Sequence, residues 1–292
     1  MNKIAAIVVT YNRKELLKEC INKLKKQTVA LDIIIIDNAS TDGTEKYIKE
    51  LGKSIIYFNT GSNLGGAGGF NFGIKKAVEL KYEYLWILDD DTMPTETALE
   101  MLLIKDKELC GNYGFLTSKV LWKDGSICAM NVQKISKWSY LKKFDNVSVV
   151  QYASFVSFFI KASTVMKIGL PYKEFFIWSD DWEYTRRISK KEKCYFVPKS
   201  IVYHWCDKNI GANLVLTDLT RMERFKYMYR NDVVLYRQDG IEGIVYLFIR
   251  NMIHKFKIYR NGKNFKEKLM LIKKATNEGK KFYPEIEFPE KK

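Results

Sequence analysis

The chain is predicted to fold as an α/β domain around a mostly parallel sheet, with a helical C-terminal extension. Three observations predict it. Short β-branched runs alternate with amphipathic stretches through the first half, the pattern of strand–helix–strand units. Several apolar runs end in polar loops, as strands do when their carboxyl ends carry a ligand site. From about residue 217 onward the pattern becomes helical and basic.

The elements follow in order. Residues 4–9 form the first strand; no small-residue cleavage site follows them, and Thr10-Tyr11-Asn12-Arg13 is a strand exit and not the end of a signal sequence. Leu16, Leu17, Cys20, Ile21 and Leu24 then recur at helical spacing. Residues 33–36 are a wholly apolar second strand, expected to be central, that ends at Asp37. Residues 54–58 are the third strand. A glycine-rich loop, 61–69, leads into a helix at 70–80, and residues 84–88 form the fourth strand, ending in Asp89-Asp90-Asp91. The second half is less regular. It holds an apolar run at 149–160, a helix near 161–168, and an acidic cluster at 178–184 that opens a helix to about 191. Residues 195–197 and 201–203 are expected as two short strands turning at Pro198. The domain boundaries expected are 1–215, divided near 120, and 216–292. The last ten residues are expected to be loosely ordered.

Composition narrows the function. With 292 residues and 47% apolar side chains the chain can bury a full core, which excludes global disorder. No run of about 18 apolar residues offers a membrane span. Five scattered cysteines without C-x-x-C spacing are expected as reduced thiols of a cytoplasmic protein. The net charge of +15 is carried mainly by lysine, which suits an anionic membrane surface or a lipid phosphate better than base-specific contacts, so nucleic acid is not an expected partner. Ile241, Ile244, Val245, Phe248, Met252 and Phe256 recur at helical spacing among Arg250, Lys255, Lys257 and Arg260. Such a helix lies in a membrane interface or packs on the domain core, and the pattern alone leaves both open.

Three consecutive carboxylates after a buried strand repel one another and need a positive partner. A divalent cation supplies it, and carboxylate oxygens are ligands that hard cations accept. If the strand before His204 returns to this crevice, His204 completes the set with Asp89 and Asp91. The bland alternative is a solvated acidic turn. In the second cluster, Asp180 or Asp181 is either a helix N-cap or a general base for a hydroxyl nucleophile. The glycine run follows the third strand, not the first, so a dinucleotide-binding fingerprint does not fit. Its amides and Asn63 suit the wall of a nucleotide-sugar pocket.

Taken together, Val8-Val9-Thr10-Tyr11-Asn12-Arg13, Asp37-Asn38-Ala39-Ser40-Thr41-Asp42-Gly43, Asn63-Leu64-Gly65, the aspartate triplet, Asp180-Asp181-Trp182-Glu183 and the late His204 resemble family 2 glycosyltransferases of the GT-A fold, in family order across residues 4–206. The glycine run and the triplet resemble the galactofuranosyltransferase branch. The resemblance implies a mostly parallel Rossmann-like sheet flanked by helices and an inverting transfer from UDP-galactofuranose. It implies Mn²⁺ or Mg²⁺ held by Asp89, Asp91 and His204, and Asp181 as catalytic base. Thr10, Asn12, Arg13, Asp37, Asn63 and Asp90 would hold the nucleotide, and Gly65, Gly66 and Asp90 the donor sugar. Trp178, Asp180, Trp182 and Glu183 would line the acceptor side, although Ser179 interrupts the Trp-Asp-Asp order of that branch. The implied acceptor is a lipid-linked glycan of a surface polysaccharide, met at the inner face of a bacterial membrane. A rhamnosyl or other hexosyl donor is the alternative, and a non-catalytic nucleotide-sugar or lipid-binding protein is the more distant one. The oligomeric state is left unspecified.

Overall fold

A computed structural model describes residues 3–261 and 263–290. The first half runs β1 (Ile4–Thr10), α1 (Lys14–Lys25), β2 (Asp32–Asp37), α2 (Thr44–Glu50), β3 (Ile56–Asn59), α3 (Gly65–Glu79), β4 (Tyr84–Asp89), β5 (Thr92–Pro94), α4 (Ala98–Glu108) and β6 (Phe115–Trp122). Then come the small hairpin β7 (Lys134–Ser136) and β8 (Ser139–Tyr140), β9 (Ser148–Val149), β10 (Phe158–Lys161), α5 (Ala162–Ile168), α6 (Asp180–Ser189) and β11 (Tyr195–His204). Among the described residues the last elements are the helices α7 (Leu219–Met222), α8 (Phe225–Arg237), α9 (Gly240–Asn261) and α10 (Phe265–Lys281).

The main sheet has the order β3-β2-β1-β4-β10-β6-β11-β5, with β9 also on β11. β3, β2, β1 and β4 are parallel to one another, as are β6 and β11; β10 and β5 run antiparallel. Alternation of side chains along each strand feeds two cores. Ala6, Val8, Ile33, Ile35, Trp86 and Leu88 face α1 and α4, while Ala5, Ile7, Ile34, Ile36, Leu85 and Ile87 face α3, α5 and α6. Burial on both faces explains why these strands read as continuous apolar runs.

Several expectations are corrected. The glycine-rich loop ends early: only residues 61–64 lie outside helix, and α3 begins at Gly65. Its glycines let the helix lie close to the sheet, since a Cβ on Gly69 would stand 2.5 Å from Val9 Cγ1 and one on Gly73 would stand 2.6 Å from Ile7 Cγ2. Residues 195–204 are one strand and not two; Pro198 falls where the β11–β6 register shifts between Val197 and Ile201, so a bulge absorbs it. The apolar run 149–160 yields the separate short strands β9 and β10. The second strand lies between β1 and β3, toward one side of the sheet. The tail, expected to be loose, returns to α3 and to the segment 170–173. Glu287 pairs with Lys75 and Lys173, and its carbonyl accepts from Leu170 N at 2.8 Å.

The apolar stripe of α9 faces outward, while Tyr246, Leu247 and Ile258 on its other side are buried. Ile241 is 82% exposed, Phe248 66% and Phe256 60%, and Ile244, Val245 and Met252 are exposed beside them. Packing on the core is therefore ruled out for this stripe, and Arg250 turns inward instead, to Asp232 on α8. No helix of the described residues is long and apolar enough to cross a membrane.

Candidate functional site

Strand register builds the crevice. Thr10 is level with Asp37 across β1–β2, and Val9 with Asp89 across β1–β4, so three parallel strands deliver polar residues to one edge. Thr10 Oγ1 donates to Asp90 at 2.8 Å. The fully buried Asp37 accepts from Tyr57 OH at 2.8 Å and from Ser40 N at 2.8 Å, which orders the loop after β2. Asn12, at φ 53, accepts from Thr41 N at 2.7 Å. Asn63 is exposed and accepts from Gly65 N at 2.9 Å, fixing the start of α3.

The acidic triplet forms the turn between β4 and β5. β5 pairs antiparallel with β11, setting His204 opposite Thr92, and this pairing carries His204 back to the carboxylates. Asp89, Asp91 and His204 each offer a donor atom within 4.8 Å of the others. His204 Nε2 lies 3.0 Å from Asp91 Oδ1, a buried oxygen that accepts no hydrogen bond. On its other side Nδ1 lies 2.8 Å from Asn131 Oδ1, and Asn131 Nδ2 donates to Ser154 Oγ at 2.9 Å. That orientation of the amide places the imidazole proton on Nδ1 and turns the Nε2 lone pair toward a carboxylate. Two acceptors this close need a proton or a cation between them. The residues thus fit a divalent ion by donor chemistry: two carboxylates and one oriented imidazole.

The charges agree with this. Burial pushes Asp89 up to about 6, with Asp91 adding to it, and burial and Asp91 push Asp90 up to about 7. Burial would also raise Asp91, but His204 and Arg13 outweigh it and hold its carboxyl below the usual range. Burial would lower His204, yet the Asp91 carboxylate beside Nε2 outweighs it and lifts it to about 10. Arg13, expected among nucleotide ligands, is engaged by the triplet: Nη1 is 2.6 Å from Asp91 and 3.3 Å from Asp90.

The second acidic cluster meets the first. Asp180 and Asp181 open α6, and both feel the negative charge of Asp89. Ser179, at φ 64, is the N-cap, so neither aspartate caps the helix. Burial raises Asp180 to about 7, and burial with the adjacent Asp180 raises Asp181 well above the carboxylate range. Asp181 nevertheless keeps partial contact with solvent.

Other acceptor-side expectations fare differently. Glu183 is buried and held by Arg187 at 2.8 and 3.0 Å, and Arg187 also donates to the carbonyls of Ile168 and Leu170. It braces α6, with its carboxylate fully used. Trp178 packs on Phe225 at 4.7 Å between ring centroids, toward the C-terminal helices. Trp182 instead stacks under the Lys134 ammonium, 3.9 Å from the ring centroid. Gly66 is open, with nothing within 4 Å of the point where a Cβ would stand, whereas Gly65 lies against backbone.

The support beneath Asp180 and Asp181 was not evident from sequence. Phe176, Trp178 and Ser179 all hold positive φ, a costly conformation for non-glycine residues. Asn231 Nδ2 donates to the carbonyls of Phe175, Ile177 and Trp178 at 3.0, 3.2 and 2.9 Å, and Asp232 accepts from Ser179 Oγ at 2.8 Å. Gly65 presses on the same loop: at φ +71, its Cβ would meet Phe176 O at 2.0 Å. Gly65→Ala is therefore expected to displace this loop and cost about 1–3 kcal/mol of stability, measured by urea unfolding.

Residues 5–110 match the family model described as glycosyl transferase family 2. Galactofuranosyltransferase GlfT1 of Mycolicibacterium smegmatis is 31% identical over 102 residues, 35% of this chain and 34% of that protein. The GalNAc(5)-diNAcBac-PP-undecaprenol beta-1,3-glucosyltransferase of Campylobacter jejuni is 34% identical over 113 residues, 37% of this chain and 36% of that one. The matched segment thus spans about a third of each of these relatives. The crystal structure of S. aureus TarS 1-349 in complex with UDP-GlcNAc superposes with a TM-score of 0.60 at 12% identity, covering 95% of this chain and 80% of that one. With its mostly parallel sheet and aligned strand ends, the chain has the GT-A fold of the TarS structure, and its residues 5–110 resemble glycosyltransferase family 2.

Proposed function

We propose that the chain is an inverting, metal-dependent glycosyltransferase that moves galactofuranose from UDP-galactofuranose to a lipid-linked glycan in surface polysaccharide synthesis. The observation that carries this is the cluster of Asp89, Asp91 and His204 at the strand ends, with Asp180 and Asp181 near enough to feel the charge of Asp89. Asp181 takes the proton of the acceptor hydroxyl as its oxygen attacks the anomeric carbon from the face opposite the departing diphosphate. A bound Mn²⁺ or Mg²⁺ supplies charge stabilisation for that diphosphate. Arg13, half exposed, can turn from the triplet to the same phosphates. Thr10, Asn12, Asp37, Asn63 and Asp90 stand along the strand ends where a nucleotide lies, Gly66 is open to a donor sugar, and Asp180 and Trp182 flank the acceptor side of Asp181. The M. smegmatis relative supports the donor, the C. jejuni relative the lipid diphosphate acceptor, and the UDP-GlcNAc complex a UDP-sugar.

The test is UDP release with Mn²⁺, a lipid-linked glycoside and a panel of UDP-galactofuranose, UDP-galactopyranose, UDP-glucose and dTDP-rhamnose, with dTDP measured for the last. Turnover with UDP-galactofuranose alone is expected. Turnover with UDP-glucose, the outcome favoured by the glucosyltransferase relative, would replace the donor and keep the mechanism.

On this reading the acceptor's lipid draws the enzyme to the inner membrane face. The exposed stripe of α9, flanked by Lys255, Lys257 and Arg260, suits an anionic bilayer by both burial and charge. Phe248→Asp with Phe256→Asp is expected to weaken co-sedimentation with anionic vesicles at least about 100-fold, since each ring contributes about 2 kcal/mol on burial. A concentration-dependent dimer abolished by the same pair, without vesicle binding, would assign the stripe to a second copy instead.

A further inference from the structure

His204 has a second set of neighbours. Cys128 Sγ, Cys206 Sγ and a ring nitrogen of His204 all lie within 4.8 Å of one another, with Cys128 Sγ 3.7 Å from Nδ1. Strand pairing brings them together. After β6 the chain doubles back through an antiparallel bridge between Leu121 and Ile127, and Cys128 N donates to Val120 O at 3.0 Å. β11 runs parallel to β6 and sets His204 level with Trp122, whose indole donates to Cys206 O at 3.0 Å. Cys128 is buried and Cys206 is partly exposed, which gives the cluster an opening to solvent.

We propose that Cys128, Cys206 and His204 Nδ1 form a second cation site, specific for thiophilic divalent ions such as Zn²⁺, whose occupation excludes the hard cation from Asp89, Asp91 and His204. Two thiolates and an imidazole, with water in the fourth position, are an established zinc donor set, whereas thiolates do not select Mg²⁺ or Mn²⁺. Binding converts two thiols to thiolates, and both protons leave to solvent. The exclusion follows from the single imidazole. A metal on Nδ1 displaces the hydrogen bond to Asn131 Oδ1 and leaves the ring proton on Nε2, where it is donated to Asp91 Oδ1, 3.0 Å away. His204 then has no lone pair to offer the oxygen-rich set. A hard cation on Nε2 requires the opposite tautomer, with Nδ1–H donated to Asn131.

Cd²⁺ is a suitable probe, because its thiolate complexes have an ultraviolet charge-transfer band. The full chain is titrated with Cd²⁺ alone, and Mn²⁺ binding is then followed by electron paramagnetic resonance with and without Cd²⁺. The wild type, and Cys110→Ser as a control for the exposed cysteine, are expected to develop the band to saturation at one equivalent and then to lose Mn²⁺ binding. Cys128→Ser with Cys206→Ser is expected to lose the band and to bind Mn²⁺ whether or not Cd²⁺ is present. Cys206→Ser alone, at the more exposed position, is expected to weaken the band and serves if the double variant does not fold. Absence of the band in the wild type, or its survival in the double variant, would overturn the site. Simultaneous Cd²⁺ and Mn²⁺ binding would overturn the exclusion. The charge-transfer measurement is independent of any sugar transfer, so its failure is distinct from failure of the proposed activity.

Discussion

Replacing Asp181 with Asn is expected to lower turnover about 10²–10⁴-fold, the range a positioned general base contributes. Donor affinity should change little, because the side chain stands on α6 and not at the strand ends. The change is nearly isosteric, and Trp182 N, which donates to Asp181 Oδ1 at 2.7 Å, can donate equally to the amide oxygen of Asn. Unfolding should therefore stay close to wild type, and a large loss of stability would show that Asp181 serves the fold. The pH profile gives a second readout. Burial and Asp180 favour the protonated form of Asp181, and a base must be deprotonated to act. The rate is expected to rise with pH as the pair loses protons, and this rising limb should disappear in the Asn variant. A variant that keeps both rate and limb would remove Asp181 from the mechanism.

Asp91→Asn is expected to weaken Mn²⁺ binding by at least about 100-fold, since even partners outside the ligand sphere are worth 10–100-fold. Calorimetry with Mn²⁺ measures this directly, without substrate. Asp91 is the pivot of the cluster: it faces Nε2 of His204 through one oxygen and Arg13 through the other. Protons compete for the same site. With His204 raised to about 10 and Asp89 to about 6, cation affinity should increase with pH and fall as the medium is acidified. Unchanged affinity in the Asn variant would locate the ion elsewhere.

The first half of this fold was legible because a parallel sheet buried on both faces writes its strands as uninterrupted apolar runs, and the polar residue ending each run marks the crevice. Asp37, Asp89 and Thr10 were found this way. The glycine run misled because glycine signals both loops and close packing; here Gly69 and Gly73 admit Val9 and Ile7 within a helix. Pro198 suggested a turn, but a bulge tolerates it. Asn231 and Asp232 were out of reach, because a polar pair on a helix carries no mark of the carbonyls it will meet far away in sequence. The stripe on α9 was visible as a period, but periodicity names a face and not what covers it. Glu183 shares the acidic cluster of the proposed base, and its burial and its pairing with Arg187 set it apart.

The β5–β11 pairing has a thermodynamic consequence. It joins a three-residue strand from the first half to a strand that closes the second, and His204 reaches the aspartates through it. A chain in which only the first four strands have assembled has two of the three donors. Any ion that needs all three binds the completed sheet alone, and so shifts the folding equilibrium toward it by RT ln(1 + [L]/Kd). The melting temperature thus becomes a titration curve for this site.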